Sequence, residues 1–91
     1  MADLVLHLKK EYFEQIAEGE KLEEYRLVTP YWIKRLEGRK YERVVLLRGY
    51  PKAGDESGRI VRRWRGYQRK TIRHPHFGKL PVEVFAIDVM E

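Results

Sequence analysis

With 91 residues, 19 Lys and Arg against 14 Asp and Glu, and a formal net charge of +5, the chain has room for one domain with a modest core and little space for a separate regulatory module. Absence of cysteine excludes disulfides, thiolate metal sites and a cysteine nucleophile. No stretch approaches the roughly 18 apolar residues of a membrane span, and the opening Met1-Ala2-Asp3-Leu4 has no basic segment followed by an apolar one, which predicts a soluble, cytoplasmic protein without a membrane partner.

Leu4, Leu6 and Leu8 alternate with Val5, His7 and Lys9, predicting a first strand with one strongly buried face. From Lys10 to Glu18 the period becomes helical, with Tyr12, Phe13, Ile16 and Ala17 on one side and Gly19 at the C-cap, where a left-handed residue is favoured. Leu22 to Leu27 predicts a second strand, in which Glu24 and Arg26 share one face while Tyr25 and Leu27 take the other. Thr29-Pro30 reads as an N-cap followed by proline at the first helical position, opening a short amphipathic helix through Trp32, Ile33 and Leu36 that ends at Gly38.

Tyr41 to Arg48, centred on Val44-Val45-Leu46-Leu47, predicts a central strand buried on both faces. Gly49 to Gly58, with Pro51, Gly54, Asp55 and Ser57, predicts a mobile loop, one use of which is a lid at the rim. Arg59 to Arg73 is long for one strand, and Gly66 in its middle predicts a bulge that bends or divides it. After a turn over His74 to Pro81, Val82 to Val89 returns as a last strand. Five or six short strands and two helices predict an α+β fold built as a small, nearly closed β-barrel with two short flanking helices, residues 1–91 forming a single domain. An open sheet with both helices on one face is the alternative.

Charge is unevenly distributed. Residues 1–30 carry four cations against seven acids, a balance of −3, whereas residues 31–91 carry fifteen against seven, a balance of +8. Between Arg59 and Arg73 seven cations (Arg59, Arg62, Arg63, Arg65, Arg69, Lys70, Arg73) are interleaved with Trp64 and Tyr67, and no acid intervenes. Cations for phosphates and rings for bases are what single-stranded nucleic acid requires; a solvated strand face on a charged, soluble protein is the competing reading. Trp64 reads as core, and Tyr67 and Tyr50 as the stacking candidates.

The segment Gly19 to Arg26 groups an amine, a carboxylate and a guanidinium, with Lys21 entering the strand that carries Glu24 and Arg26. Arg26 suits a carbonyl, carboxylate or phosphate oxygen by its fork geometry. Lys21 acts as a base or nucleophile only if its pKa falls toward neutrality. An edge-strand surface network is the alternative reading. The spacing Gly19-x-Lys21-x-x-Glu24-x-Arg26 resembles the signature of the ASCH family, small barrels similar to the PUA RNA-binding domain, here as a small stand-alone member of bacterial or phage type. The resemblance implies a PUA-like barrel with the motif lining a cleft at its mouth, where Lys21, Glu24 and Arg26 meet RNA or a modified nucleotide and Gly19 serves geometry.

On that footing Arg62, Arg63, Arg65, Tyr67, Arg69, Lys70, Arg73, His74 and His76 join Lys21 and Arg26 as nucleic-acid-binding candidates. Some small bacterial relatives resemble amidohydrolases that deacetylate N4-acetylcytidine with the motif lysine, a threonine at the position of Glu24 and a distant glutamate. This chain departs from the pattern at Glu24, and Glu83 is the best-placed candidate for the distant carboxylate. If the protein is an enzyme, Lys21, Glu24 and Arg26 are its catalytic candidates. His74-Pro75-His76 has two imidazoles and no zinc-type spacing around it, so no metal is expected, and no cofactor is called for. Ser57, the only serine, makes a Ser-His-Asp arrangement improbable. The expected partner is RNA or a nucleoside or nucleotide ligand, bound by a monomer; an adaptor whose basic face meets an acidic protein is the remaining rival.

Overall fold

Leucine at every second position produces β1 (Leu4–Leu8), whose three leucines are buried while Val5 and His7 face outward. A computed structural model of the chain describes residues 2–90; Met1 and Glu91, the two ends of the expected domain, lie outside the described residues. The helical spacing that follows forms α1 (Lys10–Ala17), which buries Phe13 and Ile16. Gly19, at φ 79°, reverses the chain past the helix end in a conformation that costs a non-glycine residue strain. Edge strand β2 (Glu23–Leu27) leads to α2 (Pro30–Leu36), where the Thr29 hydroxyl accepts from the Trp32 amide at 3.3 Å, as the Thr-Pro opening predicts.

The apolar run forms β3 (Arg43–Arg48), two residues shorter at its start than expected. It is central: β1 pairs with it in parallel and β4 (Arg59–Arg63) antiparallel. Parallel pairing of β1 and β3 needs a crossover, which α1, β2 and α2 supply. The long basic segment is divided. After β4, Trp64-Arg65-Gly66 turns the chain, with Gly66 at φ 87°, into β5 (Tyr67–Ile72), which belongs to another sheet. That sheet has the order β2-β6-β5, with β6 (Val82–Asp88) at its centre and all pairings antiparallel.

The two three-stranded sheets enclose one core between them rather than forming a single open sheet. Leu4, Leu6, Leu8, Val44 and Leu46 of the first meet Phe85 and Ile87 of the second, and Phe13, Ile16 and Leu36 bring both helices onto the same cluster. The result is a small α+β fold, compatible with a β-barrel-like domain with flanking helices. Burying each large apolar side chain contributes about 1.5–3 kcal/mol. Among the described residues no helix is long and apolar enough to cross a membrane.

Phe85 is fully buried where the sheets meet, whereas Val61 is 39% exposed on the outer face. Phe85→Ala should therefore lower unfolding free energy by roughly 3–5 kcal/mol in urea titrations, and Val61→Thr by less than about 0.5 kcal/mol.

Candidate functional site

Strand alternation puts Glu24 and Arg26 on the inner face of the second sheet, opposite Ile87 and Phe85 in the ladder with β6. The Glu24 carboxylate is therefore carried toward the core and keeps only 5% of its side-chain surface exposed. An ionised group there must be paired. Arg26 supplies the partner, its Nη1 lying 3.0 Å from Glu24 Oε2. The same guanidinium donates from Nη2 to the His7 carbonyl of β1 at 3.0 Å, tying the two sheets together at this end, and lies 5.3 Å over the Trp32 ring of α2. Its Nε is buried with no acceptor among the described residues.

Lys21 completes the group. Backbone bonds from the Glu20 and Lys21 amides to the Gln15 carbonyl fix the turn after α1, and the ammonium then lies 3.7 Å from Glu24 Oε1. Tyrosine rings flank it, Tyr25 at 4.4 Å and Tyr12 at 5.4 Å from Nζ to centroid. Burial lowers the Lys21 pKa from its ordinary value despite the opposing pull of Glu24, and Arg26 adds a smaller push in the same direction. Burial likewise raises the Glu24 pKa against the attraction of Arg26 and Lys21. Desolvation thus moves both groups toward their neutral forms.

The trio lines a cavity of about 250 Å³ whose remaining wall includes His7, Lys9, Tyr12, Tyr25, His74, His76 and Phe77. The Pro75–Phe77 turn is held by His74, whose Nδ1 accepts from the His76 amide at 3.1 Å. Edge contacts link Tyr12 to His74 and His76 at 5.7 and 5.9 Å. Burial, with the nearby Lys9, His74 and Arg26, lowers the His76 pKa, which favours a neutral imidazole. No group of three or more metal-ligating side chains gathers among the described residues.

Of the sequence candidates, Lys21, Glu24, Arg26, His74 and His76 converge on this cavity, and the rest lie elsewhere. Arg62 and Arg63 are on β4 of the other sheet, and the Arg62 Nε is buried without a partner among the described residues. Arg65 pairs with Asp88 at 3.4 Å, Arg69 with Glu37 and Glu83 at 3.0 and 2.9 Å, and Lys70 with Glu23 at 2.7 Å. Arg73 is exposed just beyond β5. Tyr67 packs edge-on against Phe85 at 5.1 Å and joins Trp64 at the margin of the core. Tyr50 is 85% exposed and stacks on His7 with centroids 4.2 Å apart. Glu83, bound to Arg69, does not line the cavity.

Comparisons of the chain with protein-family models, with curated proteins and with solved structures find no match. The chemistry of the cavity itself carries the functional reading. Of its aromatic wall, sequence reasoning found His74 and His76 and missed Tyr12, Tyr25 and Phe77. Tyr12 sits on the helix face that periodicity assigns to the core, and alternation turns Tyr25 away from Glu24, yet in the edge strand β2 its ring still lies 4.4 Å from the Lys21 ammonium.

Arg26→Met should destabilise the fold by roughly 3–5 kcal/mol, because it removes the nearer of the two cations paired with a buried carboxylate, and adding Glu24→Gln should recover most of the loss in denaturant titrations. Folded Glu24 holds its proton more tightly than unfolded Glu24. Its contribution to stability is accordingly complete below the ordinary value of 4.5 and disappears as pH rises through the raised one. The stability of the wild type relative to Glu24→Gln should therefore fall between acid and neutral pH, and a difference that stays flat or grows would contradict a raised pKa.

Proposed function

We propose that the chain is an ASCH-type module that binds RNA or a modified nucleotide by taking a base into this cavity. The observation that carries the reading is the convergence of the motif side chains Lys21, Glu24 and Arg26 on one small hollow walled by aromatic rings. Apolar or aromatic walls with a few convergent polar groups are the usual make-up of a ligand site. At about 250 Å³ the hollow is below the roughly 300–1,000 Å³ typical of drug-sized ligands and suits a single base. Tyr12, Tyr25, His74 and Phe77 offer faces or edges for stacking. Arg26 has five N–H donors, and its hydrogen bond to the His7 carbonyl and ion pair with Glu24 leave others for a base or phosphate oxygen. Glu24 accepts from an exocyclic amine, and Lys21 donates.

A second reading, amide hydrolysis of an N4-acetylcytidine-like nucleoside, is favoured by the opposite pKa shifts of Lys21 and Glu24. In it the Glu24 carboxylate takes a proton from water as the oxygen attacks the acyl carbon. The C–N bond then breaks, the proton passes to the departing amine, and Lys21 or Arg26 supports the carbonyl oxygen. Glu24 fills the role that threonine and a distant glutamate share in the enzymes the motif resembles.

RNA affinity measured by fluorescence anisotropy should weaken as salt rises. Arg26→Ala, and the better-folded Arg26→Lys, should reduce it by on the order of ten- to hundredfold, more than Arg63→Ala on the outer strand. No binding at low salt would remove the reading. For the second reading, incubation with N4-acetylcytidine should release cytidine and acetate from the wild type, and equal release by Glu24→Gln would exclude this mechanism.

A further inference from the structure

Three of the six cations that the sequence assigned to the RNA backbone are engaged: Arg65, Arg69 and Lys70 each face a carboxylate within 3.4 Å, whereas Arg62, Arg63 and Arg73 form none of the salt bridges among the described residues. A cation already paired with an acid releases few counterions when a phosphate arrives, and so adds little to polyanion affinity. A second unpaired set is clustered at the end of α2. Lys34 and Arg35, in the last turn of α2, and Arg39, just beyond it, form none of the salt bridges among the described residues.

These three side chains line one groove of about 370 Å³ together with Tyr31 and Tyr41, and no acid among the described residues lines it. The helix dipole accounts for cations in a last turn, but not for Arg39, which lies past the helix end. Arg39 is brought back to the groove because Gly38 adopts φ 70° and the Arg39 amide bonds the Leu36 carbonyl at 3.3 Å. Tyr41 is fixed by a hydrogen bond from its hydroxyl to the Arg35 carbonyl. The Arg35 guanidinium lies 4.2 Å over the Tyr31 ring, which is still 56% exposed. Contacts then run inward to the cavity: Tyr31 meets Trp32 edge-on at 5.0 Å, and Trp32 lies under Arg26 at 5.3 Å.

The geometry points to a second nucleic-acid subsite in this groove, at which Lys34, Arg35 and Arg39 bind consecutive phosphates of a single-stranded RNA and Tyr31 stacks on one of its bases. The inference rests on the RNA reading of the cavity and extends it, with one base held by the motif and the adjoining strand held on α2. Three unpaired cations beside two rings, without an acid among the described residues, match the charge and stacking demands of a single strand. An acidic protein segment would use the cations and leave the exposed Tyr31 ring without a base to stack on.

The test compares Lys34→Gln/Arg35→Gln/Arg39→Gln, all at exposed positions, with the wild type and with Arg26→Lys. The probes are a mixed-sequence RNA of about 12 nucleotides, polyglutamate and cytidine, measured between about 50 and 200 mM salt, with circular dichroism confirming that each variant is folded. The triple variant should bind the RNA more weakly, with a salt slope shallower by about 2, from roughly 0.7 for each of the lost phosphate contacts, and should bind cytidine as the wild type does. Tyr31→Ala should weaken RNA binding about tenfold and leave the slope unchanged. An unchanged slope in the triple variant, alongside RNA binding that still depends on Arg26, overturns the groove alone. Loss of polyglutamate binding without loss of RNA binding overturns it in favour of an acidic protein. Absence of both RNA and cytidine binding in the wild type overturns the cavity reading itself.

Discussion

A carboxylate buried between two cations is the constraint around which one end of this molecule is built. Glu24 enters the interior because it shares the inner face of β2 with Arg26, and an unpaired charge there would cost several kcal/mol. Arg26 neutralises it, and the second arm of the same guanidinium reaches the His7 carbonyl on the other sheet. One side chain therefore satisfies the buried acid, links the two sheets and forms the floor of the cavity. Removing it would disturb fold and site together.

Lys21 is held from a different direction. The end of α1, the left-handed Gly19 and the backbone bonds to Gln15 set where the amine emerges, and two tyrosine rings replace part of its hydration. Burial then pulls the ammonium and the carboxylate toward neutrality, while their mutual attraction opposes it. The result is an amine and a carboxyl side by side, each displaced by burial toward its neutral form.

Charge counted along the chain and charge free in space are different quantities here. Arg59 to Arg73 is the most basic stretch of the sequence, yet Gly66 splits it between two sheets, and β5 is set beside acids from β2, β6 and the end of α2. Arg69 thereby becomes a clamp between Glu37 and Glu83. The cations around Gly38 are fewer but unpaired, and they share a groove with Tyr31 and Tyr41. Local pairing, more than local density, decides which basic residues can meet a polyanion.

Much of the framework was written in short-range pattern. The alternating leucines of β1, the Thr29-Pro30 helix start, the apolar run of β3, the break at Gly66 and the shared face of Glu24 and Arg26 all follow from side-chain periodicity and backbone preference, which act over a few residues. The division into two sheets, the arrival of His74, His76 and Phe77 beside α1, and the pairing of Arg69 and Lys70 with acids 14 to 47 residues away depend on which strands meet. No local preference encodes those meetings; burial of the common core selects them, and with them the aromatic wall that turns a charged motif into a cavity.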